Sequence, residues 1–228
     1  MIEKIDSHFS SIERTLFGKD KLFEGPIKIA MPGALANHFL IPKMKTFLNE
    51  YPKIEIQFLT GPEVVNLLKR DADMAIRLVR PNTKELIIKK IGSISLNLYG
   101  HRDYISEQKR QKKQINEFPF IGLFDSSTSE LEQKVIQQLK FEPNYQMRSH
   151  AWSSVYVAVA NQCGIGILPD IVAQQNSNLL PLSENLSKSV MPLWLVIHPD
   201  VYNNNRVKVF IDFFSKLMEV KELILSTL

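Results

Sequence analysis

Twice along this chain, short runs rich in β-branched and aromatic residues alternate with stretches of helical period, and that doubled order leaves few folds open. The first block reads as a strand at Ile27–Met31, a turn at Pro32 and Gly33, and a helix through Tyr51 with Pro42 near its start. Ile54, Ile56 and Phe58 then alternate with polar residues as a second strand. Gly61-Pro62-Glu63 opens a helix through Val64, Val65, Leu67 and Leu68; Asp73–Leu78 is a third strand, and Leu86–Tyr99 is a long β-rich stretch broken at Gly92. The second block repeats the theme. Phe118–Phe124 is a strand, Ser129–Leu139 a helix, Tyr145–Arg148 a strand, Ser153–Cys163 a helix and Ile165–Leu168 a strand. A helix from Pro169, strands at Asn178–Leu182 and Leu193–His198, and a helix over Arg206–Leu223 follow. Two βαβα blocks imply two α/β lobes with largely parallel sheets and crossover helices on their faces. The last strand and helix have no later strand to pair with in the second lobe, and could equally return to the first.

Residues 1 to 24 obey a different rule. Ile2, Ile5, Phe9, Ile12 and Leu16 recur at alternating spacings of three and four, the a/d pattern of a coiled coil, with charged residues on the other faces. So narrow a stripe buries more against a second helix than within one chain, which predicts a dimerisation helix; a helix docked on its own domain is the alternative.

Composition narrows the function classes. With 228 residues there is enough chain for one large domain or two modest ones. No apolar run approaches the roughly 20 residues of a membrane span, and the start lacks the continuous apolar core of a signal peptide, which predicts a cytoplasmic protein with no membrane partner. The single cysteine, Cys163, excludes an internal disulfide or a multi-thiolate zinc site and is expected to pack in the core. The net charge of +4 is concentrated in part at Lys109, Arg110, Lys112 and Lys113, a run without interleaved aromatics, which reads as a solvated helix face. The five histidines have no metal spacing, no phosphate-cradling loop is present, and the serine clusters have no assigned base. No catalytic residue, metal site or cofactor is expected.

An ordered set of segments resembles one family. They are Gly25-Pro26-Ile27-Lys28-Ile29-Ala30, Leu40-Ile41-Pro42 with Phe47-Leu48-Asn49-Glu50-Tyr51-Pro52, and Asp71-Ala72-Asp73-Met74-Ala75-Ile76-Arg77. Gly100-His101-Arg102-Asp103-Tyr104-Ile105, Ala158 to Pro169, Pro192 to Val196 and Arg206 to Phe214 continue it. Each piece is weak alone; together, in order, they resemble the effector-binding domain of LysR-type transcriptional regulators.

That resemblance implies an α/β fold of two Rossmann-like lobes, like the type 2 periplasmic binding proteins, preceded by an N-terminal linker helix. It divides the chain into a helix at 1–24, lobe one at 26–95 plus 196–228, and lobe two at 96–195, with crossings near Ser93–Leu98 and Leu195–His198. It further implies a small-molecule effector, a homodimer or homotetramer, and DNA contact only through a winged helix-turn-helix ahead of the linker helix, which this sequence does not contain.

Ligands in such sheets sit beyond the carboxyl ends of strands, where helix N-termini present free N–H groups. The expected effector-binding residues are accordingly Pro32, Gly33, Ala34 and Leu35 in the first loop, Thr60 and Gly61 in the second, Ser126, Ser127 and Thr128 in the third, and Trp152 in the fourth. Relatives place a Ser or Thr in the first loop for an effector carboxylate; Met31-Pro32-Gly33-Ala34-Leu35 has none, so an apolar or neutral ligand stands level with an anion. Ser126 to Thr128 serve equally as helix caps. His150 reads as a surface histidine, and Arg77 as the partner of a carboxylate such as Asp73. A transporter's solute receptor and an enzyme on the same scaffold are the competing readings.

Overall fold

The computed structural model describes residues 23–61, 65–124, 129–182 and 189–225. Strands β1 (Gly25–Ala30), β2 (Ile54–Leu59) and β3 (Met74–Arg77) form one parallel set, in which Ile27 faces Ile56 and Ile29 faces Met74. A second parallel set holds β5 (Pro119–Leu123), β6 (Asn144–Ser149) and β7 (Ile165–Pro169). Between them run β4 (Ile87–His101) and β9 (Ser189–Ile197), antiparallel to one another. Strand β9 also pairs antiparallel with β3, and β4 with β7 and with the short β8 (Leu179–Pro181).

The path β2-β1-β3-β9-β4-β7-β5-β6 is therefore one mixed sheet. The parallel pairing expected from the βαβα order holds inside each set, and the antiparallel pairs all come from β4, β8 and β9. Strand β4 has 15 residues, about 50 Å at the usual rise, which is long enough to serve both sets. It bends at a bulge: Lys90 faces Trp194 and Gly92 faces Leu193, leaving Ile91 as the extra residue. Gly92 sits at φ 151°, a backbone setting that a side chain would strain.

The first crossover is helical from 33 to 50 but changes winding. Helix α1 (Gly33–Leu35) passes into a π segment at Ala36–Leu40, a 3₁₀ turn at Ile41–Lys43 and helix α2 (Met44–Glu50). Pro42 has no N–H to give an α-type bond, and the wider and tighter turns around it absorb the break. The helix expected through Val64, Val65, Leu67 and Leu68 is corrected over its described part: residues 62–64 lie outside the described residues, Val65 and Asn66 lie outside any helix, and Leu67–Lys69 makes a 3₁₀ turn. The Asn66 side chain accepts from Leu68 N and Lys69 N, and Arg70 at φ 60° ends the turn after one cycle.

Further helices are α3 (Arg102–Arg110), α4 (Ser129–Leu139), α5 (Trp152–Ala160), α6 (Asp170–Ala173), α7 (Pro199–Tyr202) and α8 (Asn205–Leu225). Lys109 and Arg110 on α3 face water, and Arg110 pairs with Glu107 at 3.0 Å. Helix α8 packs beside β1 and β4, with Phe210 edge-on to Phe47 at 5.7 Å and Phe214 edge-on to Phe39 at 6.4 Å. Val207, Phe210, Phe214 and Met218 repeat at helical spacing and are buried, each contributing about 1.5–3 kcal/mol by leaving water. Cys163, expected in the core, is exposed, because it falls after the last turn of α5. No helix among the described residues is long and apolar enough to cross a membrane.

Candidate functional site

Strands β1 and β2 of one set and the N-terminus of α5 in the other converge on Gly33. A Cβ at this position would lie 3.5 Å from Thr60 O, 3.6 Å from Thr60 Cβ and 3.8 Å from Ser153 Oγ. A side chain begun at Gly33 would therefore touch the second and fourth loops at ordinary contact distance, which places this position of the first loop between Thr60 and Ser153. Pro32 precedes α1 in extended backbone at φ −56°, ψ 128°, with no side chain capping the turn. Ala36 N donates to Pro32 O at 3.1 Å, closing the first turn.

Trp152 opens α5 and is 3% exposed, yet its Nε1–H has no hydrogen-bond partner among the described residues. A buried indole donor without an acceptor is costly, and such groups are rare in folded proteins. Close by in sequence, the Tyr156 ring of α5 lies tilted against that of His38 in the π segment, with ring centroids 3.9 Å apart. Burial pushes the His38 pKa down, so the ring is neutral in this contact at neutral pH. Lys43 Nζ donates to Phe39 O at 2.9 Å and reaches Gln175 Oε1 at 3.4 Å, a second link between the two sets.

The end of β5 is pinned by a buried carboxylate. Glu132 of α4 is fully buried and accepts from Leu123 N with both oxygens, at 3.0 and 2.9 Å. Arg148 of β6 donates to Leu123 O at 2.8 and 3.1 Å and lies over the Tyr145 ring. Burial pushes the Glu132 pKa up to about 7, against the opposing pull of the Leu123 N–H, the Arg148 charge and the Tyr145 hydroxyl. Farther along, Asp170 at the start of α6 accepts from Ser95 Oγ at 2.5 Å and Tyr99 OH at 2.9 Å, fastening α6 to β4.

The residues expected from sequence are distributed as follows. Pro32, Gly33, Thr60 and Gly61 are at least partly accessible, whereas Ala34 and Leu35 are 2% exposed and their side chains belong to the core. Ser126, Ser127 and Thr128 lie outside the described residues, as do Ile2, Ile5, Phe9, Ile12 and Leu16. His150 is exposed, its ring 4.1 Å from that of Phe124. Arg77 is a correction: its guanidinium donates to Val65 O at 2.8 Å, while Asp73 accepts from Lys28 N at 2.7 Å. Successive strand residues point to opposite sheet faces, so Asp73 and Arg77 share a face but are held by different neighbours. Ser153 closes the fourth loop, Ser149 to Ser153, that the sequence marks before the Val/Ala helix, while His38, Tyr156 and Glu132 were missed. Tyr156 is one turn of helix from Trp152, a spacing that would have nominated it; no local pattern marks His38 or Glu132. No group of acidic, histidine or cysteine side chains suited to a metal occurs among the described residues.

The model of the LysR substrate binding domain matches residues 20–219. A carbapenem-hydrolyzing β-lactamase transcriptional activator from Enterobacter cloacae is 45% identical over 62 residues, which cover 25% of this chain and 21% of the activator. The HTH-type transcriptional regulator CrgA of Neisseria meningitidis is 21% identical over 223 residues, covering 92% of this chain and 73% of the regulator. Its regulatory domain superposes with a TM-score of 0.74 at 18% identity, over 86% of this chain and 99% of that domain. The CcmR regulatory domain of Synechocystis, in complex with 2-PG, gives a TM-score of 0.65 at 18% identity, over 86% of this chain and 97% of that chain. These likenesses place the fold among LysR regulatory domains, and the match over residues 20–219 shows that the chain belongs to the LysR substrate-binding domain family.

Proposed function

We propose that this chain senses a small-molecule effector for a LysR-type transcriptional regulator and binds it beside Gly33, between the loops that carry Thr60 and Ser153. The observation that carries the reading is Trp152: a buried indole N–H without an acceptor, one residue from the serine that approaches Gly33. An effector with a carbonyl, hydroxyl or carboxylate oxygen would supply that acceptor, and its apolar part would take the space a side chain at 33 would fill. Pro32, Gly61 and the Ser126–Thr128 loop complete the proposed surround; Ala34 and Leu35 contribute backbone only.

Sensing requires that the ligand bind one arrangement of the two strand sets better than another. His38 on Tyr156 and Lys43 on Gln175 are the contacts that such a change would make or break. The rest of the reading follows the family: self-association through the Ile2, Ile5, Phe9, Ile12 and Leu16 stripe as a dimer or tetramer, DNA contact through a separate helix-turn-helix, a cytoplasmic location and no catalysis. That the curated relatives are transcriptional regulators favours this over a transporter's solute receptor. The 2-PG complex of the Synechocystis relative supports a small-molecule occupant.

The test is a thermal-shift screen of metabolites on the natural chain and on Gly33→Phe, which fills the space beside Thr60 and Ser153. A compound at 100 times its Kd should stabilise the natural chain by about 2.7 kcal/mol and leave Gly33→Phe unmoved. A compound that stabilises both equally binds elsewhere, and the proposed site is then wrong.

A further inference from the structure

A groove of about 680 Å³ opens between the segment after β3, one flank of α4 and β9. None of Pro32, Gly33, Thr60 or Trp152 lines it, so it is separate from the site proposed above. Its volume falls within the roughly 300–1,000 Å³ of small-molecule sites. Trp194 of β9 lies in the wall, and Val79 and Val190 stand open at 52% and 55% exposure. Exposed β-branched residues and an indole lining one groove form an apolar surface with no cover among the described residues.

The charges in the groove are as informative. Arg80 enters from the segment after β3 and holds its guanidinium 5.5 Å from the centre of the Trp194 ring. Lys134 enters from α4, forty residues past the middle of β4 in the chain. Among the described residues neither cation is paired with a carboxylate. Glu130, one turn before Lys134, is the acidic residue of the lining. Two cations on an apolar wall favour one anionic end, and a nearby carboxylate penalises a second.

We propose that this groove is a second small-molecule site, taking an amphipathic monoanion whose carboxylate lies between Arg80 and Lys134 and whose flat apolar body covers Trp194. Arg80 offers the planar fork that matches a carboxylate, already oriented by the indole, and Lys134 adds a point charge from across the groove. The apolar body takes Val79 and Val190 out of water. The occupant spans residues of both parallel sets, since the segment after β3 extends one and α4 follows β5 of the other. It therefore bears on the same arrangement as the Gly33 site while using different contacts.

The test uses 2-naphthoate as the probe and its neutral counterpart 2-naphthylmethanol, titrated calorimetrically into the natural chain, into Arg80→Glu/Lys134→Glu and into Gly33→Phe. Arg80 and Lys134 are both exposed, so the double variant should keep its fold, which circular dichroism checks. Naphthoate should bind the natural chain saturably and lose about tenfold or more in affinity on the double variant. The alcohol should bind more weakly by a similar factor, and Gly33→Phe should bind naphthoate like the natural chain. Absence of saturable binding, undiminished affinity in the double variant, or a loss confined to Gly33→Phe would each overturn the proposal; the last assigns the anion to the loops beside Thr60.

Discussion

Glu132 is a buried side chain whose ionisation bears on solution behaviour. In the unfolded chain its carboxyl has the ordinary value of 4.5, and in the folded chain about 7. The folded state therefore keeps the proton over a window in which the unfolded state has released it. Its contribution to stability is full below pH 4.5 and is lost as pH rises to 7, by about 3 kcal/mol at most. Denaturation midpoints measured from pH 4.5 to 7.5 should fall with rising pH, and Glu132→Gln, which keeps an acceptor for Leu123 N but cannot ionise, should flatten that part of the profile. Identical slopes in the two proteins would show that another group carries the effect. Nothing in the local sequence announces this: Glu132 sits among Glu130, Gln133 and Lys134 on a helix whose apolar stripe is Leu131, Val135 and Leu139. Only the approach of Leu123 from β5 makes the position buried. Arg77 teaches the same lesson, since its partner is the carbonyl of Val65 and not the nearby Asp73.

Elements whose pattern spans several turns were readable from sequence. The α4 helix runs Ser129–Leu139 as its spacing predicts, and α8 runs Asn205–Leu225 on the stripe that begins at Val207. What escaped was decided by single residues acting on the backbone. Asn66 caps a turn that Arg70 ends, so Leu67 and Leu68 make a single 3₁₀ turn where their apolar spacing predicts a longer helix. Pro42 divides its helix into turns of three kinds rather than merely starting it. The α3 helix has a weak apolar stripe and is started by His101, whose Nδ1 accepts from Asp103 N. Packing of α8 on the first parallel set rests on a cluster of aromatic rings with Phe210 fully buried at its centre. Replacing Phe210 by Ala should cost about 3–5 kcal/mol in urea denaturation, and a cost under about 1 kcal/mol would mean the helix is held by other contacts.

At the scale of the molecule, the doubled βαβα order was legible because periodicity survives in each block, and the parallel pairing within each set followed from it. The mixed sheet was not legible, because the direction of β4 and β9 depends on which strands they meet. Of the proposed Gly33 site, the loops were predictable from where strands end, but the approach of Thr60 and Ser153, more than ninety positions apart, to the one glycine was not. The ribbon of β4 and β9 has a further consequence. Each parallel set borders a strand whose other half belongs to its neighbour, so neither set can complete its sheet from its own stretch of chain. Loss of one should deprive the other of its inner border, and scanning calorimetry should record a single transition with matching calorimetric and van't Hoff enthalpies. Two resolved transitions would show the sets to be independent. Strands shared in this way should deny either half a folded life of its own, so that a stretch of chain carrying one parallel set without the other is expected to fray from its inner edge.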